Sequence, residues 1–579
     1  MSHIKLVLAA LALSVIVGAF PRANAQTIQV IIAGSSAQWQ SLALAAYNGG
    51  ACVAGATAPC FHYTGSAKFN LNDTRPTSVG GTIVTDTGNT WIVWDSASSL
   101  PNIWVFITVD SVVGNRCYFA NPSCNITVAA FPSPGNLITV WGDGSTDQTP
   151  PLTIQSIFTG VTGPTVNVAA TDIRPEDALF AQCRVNSVLG GAADGLAGLG
   201  YGAKTPAGTC ASYGDPLGTL MGTAIKSGYP ASNSQANVLA FALSGKDPFT
   251  GLLPHKGYTI STGAAPIVFI TNRTAAGGML NVSNATDAQL QTVFSGAKCN
   301  ANVFAGGLNK PIAAYLREPL SGTENTTEST VFRYPVPLSG VINGKSQETG
   351  VGAGNPLANP CTSGGSRFRA IGTGEEVKSV QNSNSNGNGD GIGYAFFSYG
   401  NVSTIANQSQ YGYLTLDGVD PIFAVYGAGG NVDPGQPAGA GVIPAAANTP
   451  CGAFPCPESK IWVGQLSFPN LRSGAYRAWS LLRVVSAGTP LANVRLLVTG
   501  SQKYNATTTP DYVPAVAVPG TPSDPGLRLL RSHYTQEGVS PVNFGANEKG
   551  GDMGGCIEGA RSTVIKQGQN TPYACVALP

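Results

Sequence analysis

The chain has 579 residues, a formal net charge of +1, 43% hydrophobic residues and only 11% charged ones. Such a balanced, charge-poor composition carries no electrostatic footprint for nucleic acid or an acidic membrane surface. The length allows two or more domains, and 73 Gly with 40 Pro point to short elements joined by long turn-rich loops.

Residues 1–25 read as a secretory signal peptide. Lys5 precedes the apolar run Leu6 to Phe20, and Ala23-Asn24-Ala25 supplies the small residues of a cleavage site before Gln26. The mature protein is therefore expected to be periplasmic or secreted, and no later run is long enough to cross a bilayer as a helix. All twelve cysteines lie beyond that site, where oxidation favours disulfides. Their order suggests local pairs, Cys52–Cys60, Cys117–Cys124, Cys183–Cys210, Cys299–Cys361, Cys451–Cys456 and Cys556–Cys575, although sequence leaves the connectivity open. Cys451-x-x-x-x-Cys456 has no second Cys/His pair to complete a metal site, and no cofactor is expected. The Asn-x-Ser/Thr sequons, Asn125, Asn272 and Asn325 among them, have meaning only in a host that glycosylates exported proteins.

Thr27 to Ala33 reads as a strand, followed by Gly34-Ser35-Ser36 and a helix with Trp39, Leu42, Ala43 and Ala46 on one face. A strand, small-residue turn and helix start form a candidate anion cradle; the alternative is plain capping through Ser35-x-x-Gln38. From about 80 to 165 the pattern becomes β-rich, with Trp91, Trp94 and Trp104 better suited to sheet core than to stacking on a sugar. Val166 to Thr171 reads as a strand ending at Asp172, and 184–260 is Gly-rich. A second α/β run opens at Ala265. Thr286-x-x-Gln289 then starts a helix that Gly296 stops.

Lys310 to Leu316 reads as a strand running into Arg317-Glu318-Pro319-Leu320-Ser321-Gly322-Thr323. A helix opening at Ser321 would aim backbone N–H groups at an anion, and Arg317 could add a planar forked donor set. The competing reading is a capping box, Ser321-x-x-Glu324, that binds nothing. The tract Asn382-x-Asn384-x-Asn386-Gly387 resembles half a calcium loop but lacks the first Asp and the final Glu, and reads as a solvated turn. Residues 427–460 are loop-like, and an α/β run resumes at Ile461.

The order of these motifs resembles the periplasmic phosphate-binding proteins of ABC-type importers. It runs through Ala33-Gly34-Ser35-Ser36, Thr171-Asp172, the helix between Leu280 and Gly296, Arg317 with Ser321-Gly322-Thr323, Gly391-Ile392-Gly393-Tyr394 and Tyr413 to Gly418. The resemblance covers about half the mature chain. It implies an α/β, two-lobed type II periplasmic-binding-protein fold, with a β-rich insertion at 80–165 and long stapled loops. Residues 26–264 would begin lobe 1, 265–420 would form lobe 2, 421–510 would return to lobe 1, and 511–579 would be an extension. Carried over by position, Ser35, Ser36 and Ser66 would bind phosphate from the first lobe, and Arg317, Ser321, Gly322 and Thr323 from the second. Asp172 would separate monohydrogen phosphate, which has a proton to give, from sulfate, which has none.

The resemblance further implies a monomeric, non-enzymatic exported binding protein for phosphate or a similar oxyanion, serving an ABC-type membrane permease, with no nucleic-acid partner. The chain departs from the family pattern at Ala37-Gln38 and at Glu318-Pro319-Leu320, and Glu318, Glu324 and Glu328 put negative charge around the proposed anion. Alternatives from other classes are a secreted phosphoester hydrolase and an extracellular adhesion or matrix protein. The first lacks a Gly-x-Ser-x-Gly elbow and a His-Glu-x-x-His motif, with only four histidines in the chain.

Overall fold

The computed structural model describes residues 28–47, 60–70, 85–95, 102–178 and 252–332 with short breaks, 359–396, 411–421, 476–503, and the pieces 512–514 and 528–530. The expected signal peptide, residues 184–251, the loop 427–460 and most of the 511–579 extension lie outside them, as do Cys52, Cys183, Cys210, Cys451, Cys456, Cys556 and Cys575.

The first lobe is built on β1 (Ile28–Ser35), which lies parallel between β4 (Ile103–Val109) and β6 (Val168–Thr171). Antiparallel β14 (Trp479–Ser486) follows β6, and the first half of β7 (Tyr258–Asn272) follows β14. On the other side, β4 continues into β3 (Thr85–Asp95), β2 (Cys60–Asn70) and β5 (Asn125–Thr127).

The second lobe repeats the plan. β9 (Ile312–Arg317) lies parallel between β11 (Ser366–Ala370) and β12 (Asp390–Phe396), and the second half of β7 runs antiparallel between β12 and β13 (Tyr411–Leu416). Short β8 (Asn284–Ala285) and β10 (Asn359–Pro360) pair with β13 and β11. β7 changes partners at Pro266–Ile267, so β7 and β14 are the two strands that join the lobes. This is the two-lobed α/β organisation implied by the motif order.

Burial explains why these segments become central strands. Along β1, Ile31 and Ala33 enter one core and Val30 and Ile32 another. Helix α1 (Ser36–Ala45) covers the second face, while α2 (Ser111–Phe119) and α3 (Leu152–Phe158) cover the first. A strand buried on both sides is the signature of a parallel sheet under two helix layers. In the second lobe, α4 (Asp287–Phe294) starts with the expected Thr286/Gln289 capping box, and Gly296 with φ +77° ends that segment.

The stretch 80–165, expected as a β-rich insertion, supplies β3, β4 and β5 to the first-lobe sheet, with β4 directly beside β1. The reason lies in β4 itself: Trp104 and Phe106 pack on one face and Ile103, Val105 and Ile107 on the other. Trp91, Trp94 and Trp104 are all buried, as sheet core. Cys117–Cys124 and Cys299–Cys361 are joined, with Cα separations of 4.7 and 5.8 Å. Sequon residues Asn272 and Asn325 are buried and closed to a glycan. No helix among the described residues is long and apolar enough to cross a membrane.

Gly34 holds β1 close to β6. Its φ is +150°, and an added Cβ would overlap the Ala170 carbonyl. Gly34→Ala is expected to lower unfolding stability by roughly 2–4 kcal/mol. A chemical denaturation midpoint equal to wild type would contradict this packing.

Candidate functional site

The parallel strands of each lobe end at the same edge, where the turns after β1, β4, β9 and β11 feed helices and side chains converge. In the first lobe β1 delivers Ser35, whose Oγ accepts from Ala37 N–H at 3.2 Å, and then the half-buried Ser36. β4 leads to Ser111 at the start of α2. β6 leads to Asp172, which is only 2% exposed.

Asp172 is densely engaged. The Ser111 hydroxyl bonds its Oδ1, its N–H donates to Ser111 Oγ at 3.2 Å, and Ser480 on β14 donates to its carbonyl oxygen. Burial pushes its carboxyl up to about 7 from 3.8. Its own backbone hydrogen bond, Arg317, a Ser35 hydrogen bond and Arg483 oppose that shift without cancelling it.

In the second lobe β9 ends at Arg317, 2% exposed, whose N–H donates to the Tyr394 hydroxyl at 3.1 Å. Its guanidinium Nη1 donates to Thr373 Oγ1 at 2.8 Å. Thr373 sits in the first turn of α6 (Gly372–Gln381), and Ser36 Oγ approaches the same Thr373 hydroxyl from the first lobe at 3.4 Å.

Ser321 and Thr323 are buried at the opening of α5 (Gly322–Thr327). Ser321 Oγ accepts from Glu324 N–H at 3.4 Å, so the serine half of the capping box is present. Glu324 is fully buried and takes the Tyr394 hydroxyl on Oε2, so its carboxylate points into the lobe. Glu318 and the side chain of Glu328 lie outside the described residues. A Cβ on Gly322 would overlap Asp172 Oδ1 and come within 2.7 Å of Ser111 Oγ, so the lobes meet where only glycine fits.

The structure therefore brings Ser35, Ser36, Asp172, Arg317, Ser321 and Gly322 to the meeting of the lobes, with Thr323 buried one residue on in α5, and leaves Ser66 apart. Ser66 is exposed on β2, opposite Asn89 of β3, which is in turn level with Thr108 of β4 and Gly34 of β1. Three strand spacings, about 14 Å, separate it from β1. The first-lobe serine that contacts Asp172 is Ser111, which follows β4, the strand beside β1; β2 lies two strands further out.

Sequence reasoning alone does not find Ser111, Thr373 or Arg483. A strand followed by Asp110-Ser111, and another followed by Gly372-Thr373-Gly374, are the signals that could point to the first two. Gln38 also has a larger part than capping. Its Nε2 donates to Thr171 O at 2.9 Å and Arg483 O at 2.7 Å, and its Oε1 accepts from Thr262 at 2.9 Å. One buried amide thus ties α1 to the end of β6 and to both joining strands.

No cluster of three or more His, Cys, Asp or Glu able to hold a metal occurs among the described residues. In the Asn-rich turn, the Asp390 carboxylate is taken by Thr274, Met279 N–H and Asn384.

No protein-family model and no curated protein matches the chain. Among solved structures, it is similar to an ancestral soluble variant of the human phosphate binding protein, at 14% identity and TM-score 0.31, over 87% of this chain and 91% of that one. An ABC-type phosphate transport receptor from Vibrio cholerae aligns at 13% identity and TM-score 0.24, over 45% and 74% of the two chains. A phosphate binding protein from Stenotrophomonas maltophilia aligns at 14% and 0.26, over 60% and 73%. The fold assignment rests on the strand order above rather than on these scores.

The raised Asp172 carboxyl has a definite linkage sign. Its contribution to stability is fully present below 3.8 and is lost as pH rises through about 7. The ligand-free protein should therefore lose stability as pH rises from below 4 to above 7, relative to Asp172→Asn, by up to about 4 kcal/mol. Parallel stability–pH curves for the two proteins would contradict the burial of this group.

Proposed function

We propose that the chain is an exported solute-binding protein that captures inorganic phosphate between its lobes and presents it to an ABC-type permease. The observation that carries the reading is convergence. Ser35, Ser111 and Asp172 from one lobe meet Arg317, Ser321 and Gly322 from the other in a buried contact, with the half-buried Ser36 beside it against Thr373.

The chemistry of this set suits a tetrahedral oxyanion that still carries a proton. Arg317 supplies permanent positive charge and a planar donor fork, and the serine and threonine hydroxyls can turn to donate. Asp172 supplies the opposite preference. Above its titration range it is a buried carboxylate that repels an anion unless the anion brings a proton to share, as monohydrogen phosphate does. Sulfate offers no such proton and would leave two negative groups facing each other in a dry site.

Equilibrium dialysis of phosphate-stripped protein should show saturable phosphate binding, weakened on the order of 100-fold or more by Arg317→Ala. Absence of binding across phosphate, arsenate, sulfate and molybdate would overturn the reading. Asp172→Asn should narrow the preference for phosphate over sulfate, because an amide can donate to either anion. Discrimination equal to wild type would remove Asp172 from that role.

A further inference from the structure

Thr373 occupies a position in the second lobe that Ser111 occupies in the first. Each stands at the start of the helix that follows the strand beside its lobe's central strand, β11 next to β9 and β4 next to β1. Thr373 is 5% exposed, yet its surroundings are open on one side. A Cβ added at Gly372 or Gly374 would meet no atom within 4 Å, and Gly374 and Glu375 are exposed.

The polarity of its contacts follows from what each group can do. A guanidinium can only donate, so Thr373 Oγ1 must accept from Arg317 Nη1 at 2.8 Å. The hydroxyl proton is then left to point elsewhere. Its neighbour across the cleft is Ser36 Oγ at 3.4 Å, well beyond the usual 2.7–2.8 Å of a hydroxyl–hydroxyl bond. A better acceptor entering between the lobes would take that proton.

We propose that Thr373 is a positioning and anion-binding residue of the cleft. Its lone pair fixes the Arg317 guanidinium, and its proton is donated to an oxygen of the bound oxyanion as the second lobe closes on Ser36. This inference rests on the cleft being an oxyanion site. It adds a second-lobe hydroxyl, delivered by α6, to the groups delivered by β9 and α5.

The test is calorimetric titration of wild type, Thr373→Val, Thr373→Ser, Ser36→Ala and the double variant Thr373→Val/Ser36→Ala with inorganic phosphate, alongside nitrogen-15 NMR of the Arg317 guanidinium in the ligand-free proteins. Thr373→Val is near-isosteric but removes an acceptor from the buried Arg317, so its thermal midpoint should fall modestly while its circular dichroism spectrum stays that of the wild-type fold. Its phosphate affinity should fall about tenfold or more, Thr373→Ser should stay within about threefold of wild type, and Ser36→Ala should cost less in the valine background than alone. The Arg317 Nη1 proton should exchange faster in the valine variant and be slowed again by serine.

Normal phosphate affinity in Thr373→Val, with an unchanged Arg317 signal, would overturn the proposal while leaving the phosphate reading intact. If wild type itself binds no phosphate, the anion reading and the ligand half of the proposal fail together. The Arg317 signal would then decide the positioning half alone.

Discussion

Everything at the cleft depends on keeping one carboxylate, Asp172, out of water. Stripping an ion of solvent costs several kcal/mol unless donors and opposite charge replace the water. The chain meets this with Ser111, Ser35 and the Asp172 amide at close range, and with Arg317 and Arg483 as charge partners. Burial still wins, which leaves the group poised near neutrality. A structural ion pair would be tuned the other way, toward full ionisation. Gly322 completes the arrangement by letting α5 come up against the carboxylate.

The groups around Asp172 are held by rigid parts of each lobe. Arg317 hangs from a hydrogen bond to Tyr394, whose ring packs among Phe269, Phe294 and Phe332 at centroid separations of 5.4 to 5.9 Å. That cluster is the aromatic centre of the second-lobe core, so packing several residues away fixes the backbone from which the guanidinium extends to Thr373. In the first lobe Gln38 does comparable work with hydrogen bonds, linking α1 to Thr171 and to β7 and β14. Both joining strands are therefore tied to the helix that carries Ser36.

Much of this is legible in the sequence, for physical reasons. The turns after β1, β6 and β9 carry small residues, an Asp and an Arg just where an apolar run stops, and such punctuation survives without coordinates. Ser111 and Ser66 are easily confused because both stand in polar stretches near β-rich runs; only strand order tells which run lies beside β1. Thr373 follows the short run Ser366–Ala370, in which Arg367 and Arg369 interrupt the continuous apolar pattern that marks a buried parallel strand. Arg483 and Gln38 sit inside apolar or helical patterns, and their roles come from contacts over more than 100 residues of sequence. The capping readings of Ser35 and Ser321 hold for the serines. The Gln38 and Glu324 side chains engage Thr171 and Tyr394, contacts that a local motif cannot foresee.

The most direct measurement is a carbon-13 titration of the Asp172 side-chain carboxyl, assigned by its loss in Asp172→Asn, without and with inorganic phosphate. A buried carboxylate enclosed by both lobes predicts a midpoint near 7 in the ligand-free protein and a marked displacement once phosphate shares its proton. A midpoint close to 3.8, unmoved by phosphate, would mean that Asp172 faces water and that the two lobes do not form one anion site around it.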